Sequence, residues 1–257
     1  MHVGVLGKGV LNLQSSSVKG LILAAGRGTR LAPLTDNLPK PLIEINDKPM
    51  ILNCIGNLLS AGIFDIGIVI NKDHEVMFKE ALRGYAIYIT YIYQNVPDGV
   101  AGAIGKAYDF IGHNPFIVVL GDNYITNGLN DIENIAYQLE VSNRDCMFLG
   151  QEVDNPKDYG IIMPDYEQIT KIVEKPEYPK TNLAVMGLYG FSSKVFYASL
   201  NIKPSARGEY EITDVINYMI KSPLFKAGWD RATGNYIDVG THDRLAKVRE
   251  ANKSEYK

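Results

Sequence analysis

A glycine-rich turn that ends in an arginine is the first part of the sequence whose residue types suggest chemistry. The segment Gly26-Arg27-Gly28-Thr29-Arg30 directly follows a short apolar run at 21–25, which predicts a buried strand leading into a loop. Beside small residues, backbone N–H groups can approach a phosphate closely, and the Arg30 guanidinium adds paired donors. A dinucleotide-binding fingerprint needs a third glycine where Leu31 stands, and the Gly-Lys-Ser/Thr of a P-loop is absent. The turn is therefore a candidate phosphate site of another kind, with an ordinary structural turn as an equal alternative.

A lysine between two prolines is the second candidate cation. Lys40 lies in Leu38-Pro39-Lys40-Pro41-Leu42, where the prolines limit the freedom of the chain and present the ammonium group at a set position. Taken by itself, Lys40 is better explained as a solubilising surface lysine. Together with the Arg30 turn, it predicts a site with two cations for phosphates.

Two aspartates at the ends of predicted strands are candidate ligands for a hard cation. Asp122 follows the apolar run 116–120, and Asp238 follows Tyr236-Ile237. Ligands collect at the carboxyl ends of strands in open α/β sheets, so both acids are well placed for catalysis or metal binding. Mg²⁺ takes a few carboxylates together with substrate phosphates, and the pair therefore predicts a Mg²⁺ site. For Asp122 alone, a helix cap or a turn is an equal alternative.

Three charged residues in the second half are further candidates. Lys175 and Arg207 would hold an anion and Glu174 would accept hydrogen bonds from sugar hydroxyls, although each is equally well explained as a solvated loop charge. The histidines show no metal-binding spacing, and no Ser/His/Asp or Cys/His combination stands out. The residues therefore indicate the handling of anions, with no evident nucleophile or general base.

The composition excludes several classes of protein. The 257 residues are 46% hydrophobic and 21% charged with a formal net charge of -3, which is typical of a globular protein and argues against a nucleic-acid partner. Cys54 and Cys146 lie in apolar segments and predict reduced core thiols in the cytoplasm. No apolar run is long enough to span a bilayer, so no membrane partner is expected. Residues 1–18 are interpreted as an N-terminal extension.

Short apolar runs alternate with helical patterns along the chain, which is typical of a mostly parallel sheet covered by helices. Prolines at 156, 164, 176, 179 and 204 predict short strands and loops in the second half. Strands are predicted at 21–25, 66–70, 87–93, 116–120 and 147–150, and helices at 51–59, 100–111, 129–139, 212–220 and 242–251, with Gly62 ending the first helix.

Taken in order, these segments resemble the sugar nucleotidyltransferase family, most closely the glucose-1-phosphate thymidylyltransferases. The resemblance covers nearly everything from Lys19 to about Ala251. Each motif alone is weak, but the ordered set is highly specific. The matching segments start at 20–31, 38–42, 47–50 and 94–99, continue at 120–123, 158–160 and 174–176, and end at 203–209, 211–214 and 238–242.

The resemblance implies a fold, a division of the chain and a set of site residues. The fold is a Rossmann-like mixed, mostly parallel sheet flanked by helices, of the nucleotide-diphospho-sugar transferase type. One domain at 19–257 would contain a nucleotide-binding lobe at about 19–125 and a sugar-phosphate-binding lobe at about 126–257. The implied catalytic residues are Arg30, Lys40, Asp122 and Lys175, and the implied Mg²⁺ ligands are Asp122 and Asp238. The implied nucleotide-binding residues are Leu23, Ala25, Gly26, Gly28, Thr29, Arg30, Gln94, Pro97, Gly99 and Asp122, and the implied sugar-phosphate-binding residues are Asn123, Tyr159, Gly160, Glu174, Lys175, Tyr189 and Arg207.

The activity implied by the resemblance is transfer of a thymidylyl group from dTTP to glucose 1-phosphate, which releases pyrophosphate. Gln94 and Gly99 would read the edge of the pyrimidine. Gly102 stands where many thymidylyltransferases have a larger polar residue, so UTP stays open as the alternative nucleotide. A non-catalytic sugar-nucleotide sensor is the alternative from another class, although it would not need the full set of charged residues. A cytoplasmic homo-oligomer is expected, because relatives commonly form dimers or tetramers.

Overall fold

A computed structural model of the protein describes residues 17–26, 28–165 and 168–253. Of the predicted N-terminal extension only Ser17 and Val18 are described, so the interpretation of residues 1–16 lies outside the described residues. Arg27 of the glycine-rich turn lies outside them as well.

The described residues form thirteen strands and eight α-helices. The strands are β1 (Lys19–Leu23), β2 (Glu44–Ile45), β3 (Lys48–Pro49), β4 (Ile66–Ile70), β5 (Ile89–Tyr93), β6 (Phe116–Leu120), β7 (Asn123–Thr126), β8 (Cys146–Glu152), β9 (Gly160–Asp165), β10 (Gln168–Glu174), β11 (Leu183–Phe191), β12 (Ala227–Arg231) and β13 (Asn235–Asp238). The helices are α1 (Ile51–Ser60), α2 (Glu75–Leu82), α3 (Val100–Lys106), α4 (Tyr108–Ile111), α5 (Leu129–Glu140), α6 (Val195–Ser199), α7 (Ile212–Lys221) and α8 (His242–Lys253).

The main sheet has nine strands and a parallel centre. Its order is β10-β9-β11-β6-β1-β4-β5, with β8 beside β11 and β12 beside β8. β1 runs parallel to β4 and β6, and β5 runs parallel to β4. β11 runs antiparallel to β6, which joins the parallel centre to the strands of the second half. The predicted division at residue 125 falls inside β7, and the assignment of separate binding lobes stays a prediction.

Helices cover both faces of this sheet. Every residue of β4 is buried, as expected for a strand with helices on both sides. In α1 the buried residues Ile51, Cys54, Ile55 and Leu58 form one apolar stripe at helical spacing, which packs together with α2 and α5. The opposite face is packed by α3, α4, α6 and α7. This three-layer arrangement confirms the predicted α/β fold.

A small third cluster joins the C-terminal helix to the chain that follows the glycine-rich turn. Leu245 and Val248 of α8 pack with Leu31, Ile43 and Val239, away from the main sheet. The cluster matters for the site because it lies between the turn that carries Arg30 and the segment that carries Asp238. Within the described residues, no helix has the length and apolar character needed to cross a bilayer.

Most predicted elements of the first half occur where the sequence indicates them. The strands at 66–70 and 116–120 have the predicted bounds, and α1 ends before Gly62, which adopts a φ of 75°. The prediction of a single helix at 100–111 is wrong, because the chain leaves helical geometry at Ala107 and forms α3 and α4. The prediction of short strands in the second half is wrong for β11, which has nine residues and is buried throughout.

Candidate active site

A cleft of about 650 Å³ opens at the carboxyl ends of β1 and β6. This is the edge at which parallel sheets of α/β proteins bind their ligands. Arg207, from the loop before α7, also lines the cleft, as does Lys40. Every residue predicted to bind the nucleotide lies in its lining, namely Leu23, Ala25, Gly26, Gly28, Thr29, Arg30, Gln94, Pro97, Gly99 and Asp122. Their parts in binding stay predictions.

The glycine-rich turn is shaped by a short 3-10 helix at Thr29–Leu31. Gly28 adopts a φ of 63°, and a side chain there would place a Cβ 3.0 Å from the Cβ of Lys40. The hydroxyl of Thr35 donates to the carbonyl of Gly28 at 2.9 Å, while Leu31 is fully buried. The turn is therefore held against Lys40, and the half-exposed Arg30 side chain projects beside Asp238 at 3.8 Å.

Lys40 is the centre of the charged cluster in the cleft. Its side chain is only 8% exposed, and the residue starts a buried 3-10 helix directly after Pro39. Its Nζ lies 2.6 Å from Oδ2 of Asp122 and 3.3 Å from Oδ1 of Asp238. A buried ammonium group is stable only when it is paired, and both aspartates provide that pairing.

The two aspartates meet because β7 pairs with β13. Asp122 is separated from β6 by Gly121 and directly precedes β7, and Asp238 ends β13. The two strands are antiparallel, with Asn123 opposite Asp238, and the N–H of Val239 donates to the carbonyl of Asp122 at 2.9 Å. A separate two-stranded sheet thus brings together two acids that are far apart in the chain.

The two carboxyl groups have opposite pKa shifts. Burial tends to raise the pKa of Asp122, but the charge and hydrogen bond of Lys40, helped by Asn123, outweigh it and hold that pKa below its usual value. Burial and then the charge of Asp122 raise the pKa of Asp238, against the effects of Lys40 and Arg30. An additional cation between the two groups would reduce their mutual repulsion.

The donor set at this point can be compared with the requirements of a metal ion. Among residues 17–26, 28–165 and 168–253, no group of three or more His, Cys, Asp or Glu side chains is arranged to hold a metal. The available ligands are therefore the carboxylates of Asp122 and Asp238. Such a pair fits Mg²⁺, which often uses one or two carboxylates together with substrate phosphates and waters.

Gln94 and Gly99 also line the cleft, and Gly99 directly precedes α3. The Gln94 side chain is buried, and its Nε2 donates to Oδ1 of Asp98 at 2.6 Å and to the carbonyl of Gly99 at 3.2 Å. Gly99 adopts a φ of 101°, and a Cβ there would lie 2.5 Å from the carbonyl oxygen of Tyr210. Only glycine satisfies both the conformation and the close approach.

The predicted sugar-phosphate cations meet at Glu174. Nη2 of Arg207 lies 3.4 Å from Oε1 of Glu174 and 2.8 Å from Oε1 of Glu211, while Nζ of Lys175 lies 3.7 Å from Oε1 of Glu174. Burial raises the pKa of Glu174, and Lys175 and Arg207 only partly oppose this effect. The backbone N–H of Lys175 donates to the carbonyl of Tyr159. Lys175 also adopts a φ of 39°, a left-handed conformation that is uncommon for residues other than glycine.

The remaining predicted sugar residues lie between the two charged clusters. A Cβ at Gly160 would collide with the side chain of Thr213 and crowd that of Glu174. Asn123 is buried, and its side chain lies against Gly187. Tyr189 is also buried and stacks on Phe191 at 6.1 Å between ring centroids. Burial and the charges of Glu174 and Asp122 raise its pKa. Its part in a sugar pocket stays a prediction, since it does not line the cleft.

Arg244 is a site residue that the sequence reasoning missed. From α8 its guanidinium reaches Oδ2 of Asp238 at 3.3 Å and Oδ2 of Asp158 at 2.6 Å, and it lies over the ring of Tyr159 at 5.3 Å. It connects the acid next to Lys40 with the predicted sugar side. The only sequence signal is its closeness to Asp238 in the chain, and a surface helix offers many such cations.

Comparison with known proteins shows the family of the chain. The family model for nucleotidyl transferases matches residues 19–255. Over 234 residues the chain is 38% identical to a glucose-1-phosphate thymidylyltransferase of Xanthomonas campestris pv. campestris, which covers 88% of this chain and 78% of the relative. Over 211 residues it is 36% identical to the UTP–glucose-1-phosphate uridylyltransferase AglF of Haloferax volcanii. That match covers 80% of this chain and 84% of AglF.

Another relative is longer, and a solved structure shares the fold. The chain is 37% identical to the low-salt glycan biosynthesis nucleotidyltransferase Agl11 of Haloferax volcanii over 86% of its own length, but it spans only 64% of Agl11. A crystal structure of a protein assigned as a glucose-1-phosphate thymidylyltransferase from Bacillus anthracis, in complex with a sucrose, superposes with a TM-score of 0.82 at 34% identity, covering 91% of this chain and 94% of that one. These matches confirm the resemblance found in the motifs, and the chain belongs to the nucleotidyl transferase family.

Proposed function

We propose that this chain is a sugar-1-phosphate nucleotidyltransferase that uses Mg²⁺, with dTTP and glucose 1-phosphate as its substrates and dTDP-glucose and pyrophosphate as its products. The observation that carries the proposal is the contact of one buried ammonium group, Lys40, with both Asp122 and Asp238 beside the glycine-rich turn. Such a cluster suits a reaction between two polyanions, because it places fixed charges of both signs at one point of the 650 Å³ cleft.

The reaction needs no general base. An oxygen of the sugar phosphate is already an anion, and it forms a bond to the α-phosphorus of the triphosphate. The bond from that phosphorus to the oxygen that bridges it to the β-phosphate breaks, and pyrophosphate leaves with the electron pair. The task of the protein is therefore to neutralise and align the two substrates.

The cations of the chain divide this task. Arg30 and the backbone of Gly26 and Gly28 would hold the triphosphate, and Lys40 would stay near the α-phosphate and the leaving group. Lys175 and Arg207 would bind the sugar phosphate. When bound by the two aspartates, Mg²⁺ would supply further positive charge beside the triphosphate.

UTP is the second candidate nucleotide. The relative AglF is a uridylyltransferase that is 36% identical over 80% of the chain. This similarity supports UTP about as well as the similarity to the thymidylyltransferases supports dTTP. Uracil differs from thymine by one methyl group, which is worth only about 1–3 kcal/mol in a pocket. A homo-oligomer in the cytoplasm remains part of the proposal.

Pyrophosphate release with a panel of triphosphates and hexose 1-phosphates tests the proposal. We expect release with dTTP or UTP and glucose 1-phosphate, and loss of release when EDTA removes divalent cations. Tight binding of a sugar nucleotide without release for any pair would support the non-catalytic sensor instead.

Two variants test the assigned cluster. We expect Arg30→Ala and Asp122→Ala to lower kcat by about 10²-fold or more with the fold intact, since each removes a charge next to the reacting phosphates. Arg83→Ala is the matched control, because Arg83 is 76% exposed and Glu80 is its only ion-pair partner within the described part of the chain. Near-normal turnover in either cluster variant would refute the role of that residue.

A further inference from the structure

The side-chain amide of Gln94 has one defined orientation in the cleft. Its Nε2 faces two acceptors, Oδ1 of Asp98 at 2.6 Å and the carbonyl oxygen of Gly99 at 3.2 Å. A primary amide has two N–H hydrogens, so these contacts use both. The carbonyl oxygen Oε1 accepts no hydrogen bond from the described residues, and it is the polar atom of Gln94 that remains for a ligand.

The acceptor on Asp98 is itself held in place. Its backbone carbonyl accepts from the N–H of Tyr210 at 2.8 Å, and its N–H donates to the carbonyl of Val96 at 2.9 Å. Its carboxylate occupies the space next to Gly102, where a Cβ would overlap with it. The absence of a side chain at Gly102 therefore allows Asp98 to reach Gln94.

We propose that Asp98 is a positioning residue that makes Gln94 present a hydrogen-bond acceptor, and that this selects pyrimidine triphosphates with an N3–H group over those of cytosine. The inference rests on the proposed function, because it assumes that Gln94 faces the base. Thymine and uracil both carry a hydrogen on N3, whereas N3 of neutral cytosine carries a lone pair. The selection is thus independent of the choice between dTTP and UTP.

The selectivity follows from the electrostatics of the amide. Cytosine would bring its N3 lone pair against Oε1 of Gln94, and the amide would have to rotate by half a turn to offer Nε2 instead. Rotation would direct Oε1 at the carboxylate of Asp98 and at the carbonyl of Gly99, with like partial charges about 3 Å apart. Hydrogen bonds to a charged acceptor are among the stronger ones in proteins, so the carboxylate fixes the amide better than a neutral group.

Two variants release the amide by different means. In Asp98→Asn the new amide can either accept from Nε2 or donate to Oε1, so only the carbonyl of Gly99 still opposes rotation of the Gln94 amide. In Gly102→Ala the chemistry of Asp98 is unchanged, but the added methyl group displaces its carboxylate. Gly105→Ala is the matched control, since it lies in the same helix and its Cβ would meet no atom within 4 Å.

The readout is the ratio of kcat/KM for dTTP to that for dCTP, and for UTP to that for CTP, so that the sugar cancels in each pair. We expect the wild type and Gly105→Ala to prefer the N3–H base by about a hundredfold or more. Asp98→Asn and Gly102→Ala should reduce this preference at least tenfold. An unchanged preference in both variants, with Gln94 present, would overturn the inference.

A purely structural role of Asp98 predicts a different result. A carboxylate before a helix stabilises its N-terminus, so its loss would lower thermal stability and weaken all triphosphates equally. Equal losses for dTTP and dCTP would therefore count against the inference.

Binding measurements separate the inference from the proposed function. Titration calorimetry with the same four triphosphates needs no turnover. If the wild type forms no pyrophosphate but binds dTTP more tightly than dCTP, and Asp98→Asn loses that difference, the proposed function fails while the inference stands.

Discussion

Replacement of Lys40 by methionine tests the charged cluster directly. Because Nζ contacts both carboxylates, the nearest oxygens of Asp122 and Asp238 are no more than about 6 Å apart, and without Lys40 they repel each other by about 3 kcal/mol at an effective dielectric constant of 20. The side chain of Asp122 is 35% exposed, so solvent screening reduces the expected loss to about 1–3 kcal/mol. Methionine has a similar length and introduces no buried charge.

The assay is urea unfolding at pH 7 in EDTA, with Lys79→Met as the control. Lys79 also has a carboxylate partner at 2.6 Å, but its side chain is 57% exposed, and such surface pairs contribute about 0.5 kcal/mol or less. In the double variant Lys40→Met/Asp238→Asn the repulsion is gone, and we expect part of the stability to return. If Lys40→Met loses no more than Lys79→Met, or if its effect adds to that of Asp238→Asn, the reasoning is wrong.

Three other predictions concern the framework of the site. Asp131 is buried and accepts hydrogen bonds from Thr233, Gly234 and the hydroxyl of Tyr236. Asp131→Ala should therefore lower the free energy of unfolding in urea by about 3–5 kcal/mol, and a loss below about 1 kcal/mol would contradict this. Gly99→Ala places a Cβ on a residue with a positive φ and should lower the free energy of unfolding by about 2 kcal/mol or more in the same assay. Gly56→Ala in α1 is the control and should be neutral or stabilising, because a Cβ there would meet no atom within 4 Å. Burial raises the pKa of Glu174 above its ordinary value of 4.5, so the folded state binds more protons than the unfolded state just above pH 4.5. The stability of the wild type relative to Glu174→Gln should therefore fall as the pH rises from 4.5, and a flat difference from pH 4 to 7 would refute the assignment.

Elements built from one continuous apolar run could be predicted from the sequence. The runs at 66–70 and 116–120 are strands with the expected bounds, because a short apolar run between turn signals suits a central strand. β11 could not be recognised in this way, since Gly187 and Gly190 weaken its pattern. Packing explains both glycines, because a Cβ would collide with Asn123 at the first and with Ile135 at the second.

The interruption between α3 and α4 also depends on tertiary structure. Apolar spacing runs through Ala107 without a break, and no proline marks the boundary. The buried Ala107 leaves helical dihedrals, and α3 and α4 then pack on the same face of the sheet. Local propensity is too weak to decide such a break.

The sequence by itself determined the α/β class, the glycine-rich turn and the types of charged residue at the site, since these depend on local composition and on the ends of apolar runs. Only the tertiary structure decided that Asp122 and Asp238 share one ammonium group, that Arg244 reaches Asp238, and that Gln94 donates a hydrogen bond to Asp98. The physical reason is that charge interactions depend on distance and burial, and neither can be calculated for residues far apart in a chain until the strands between them are paired.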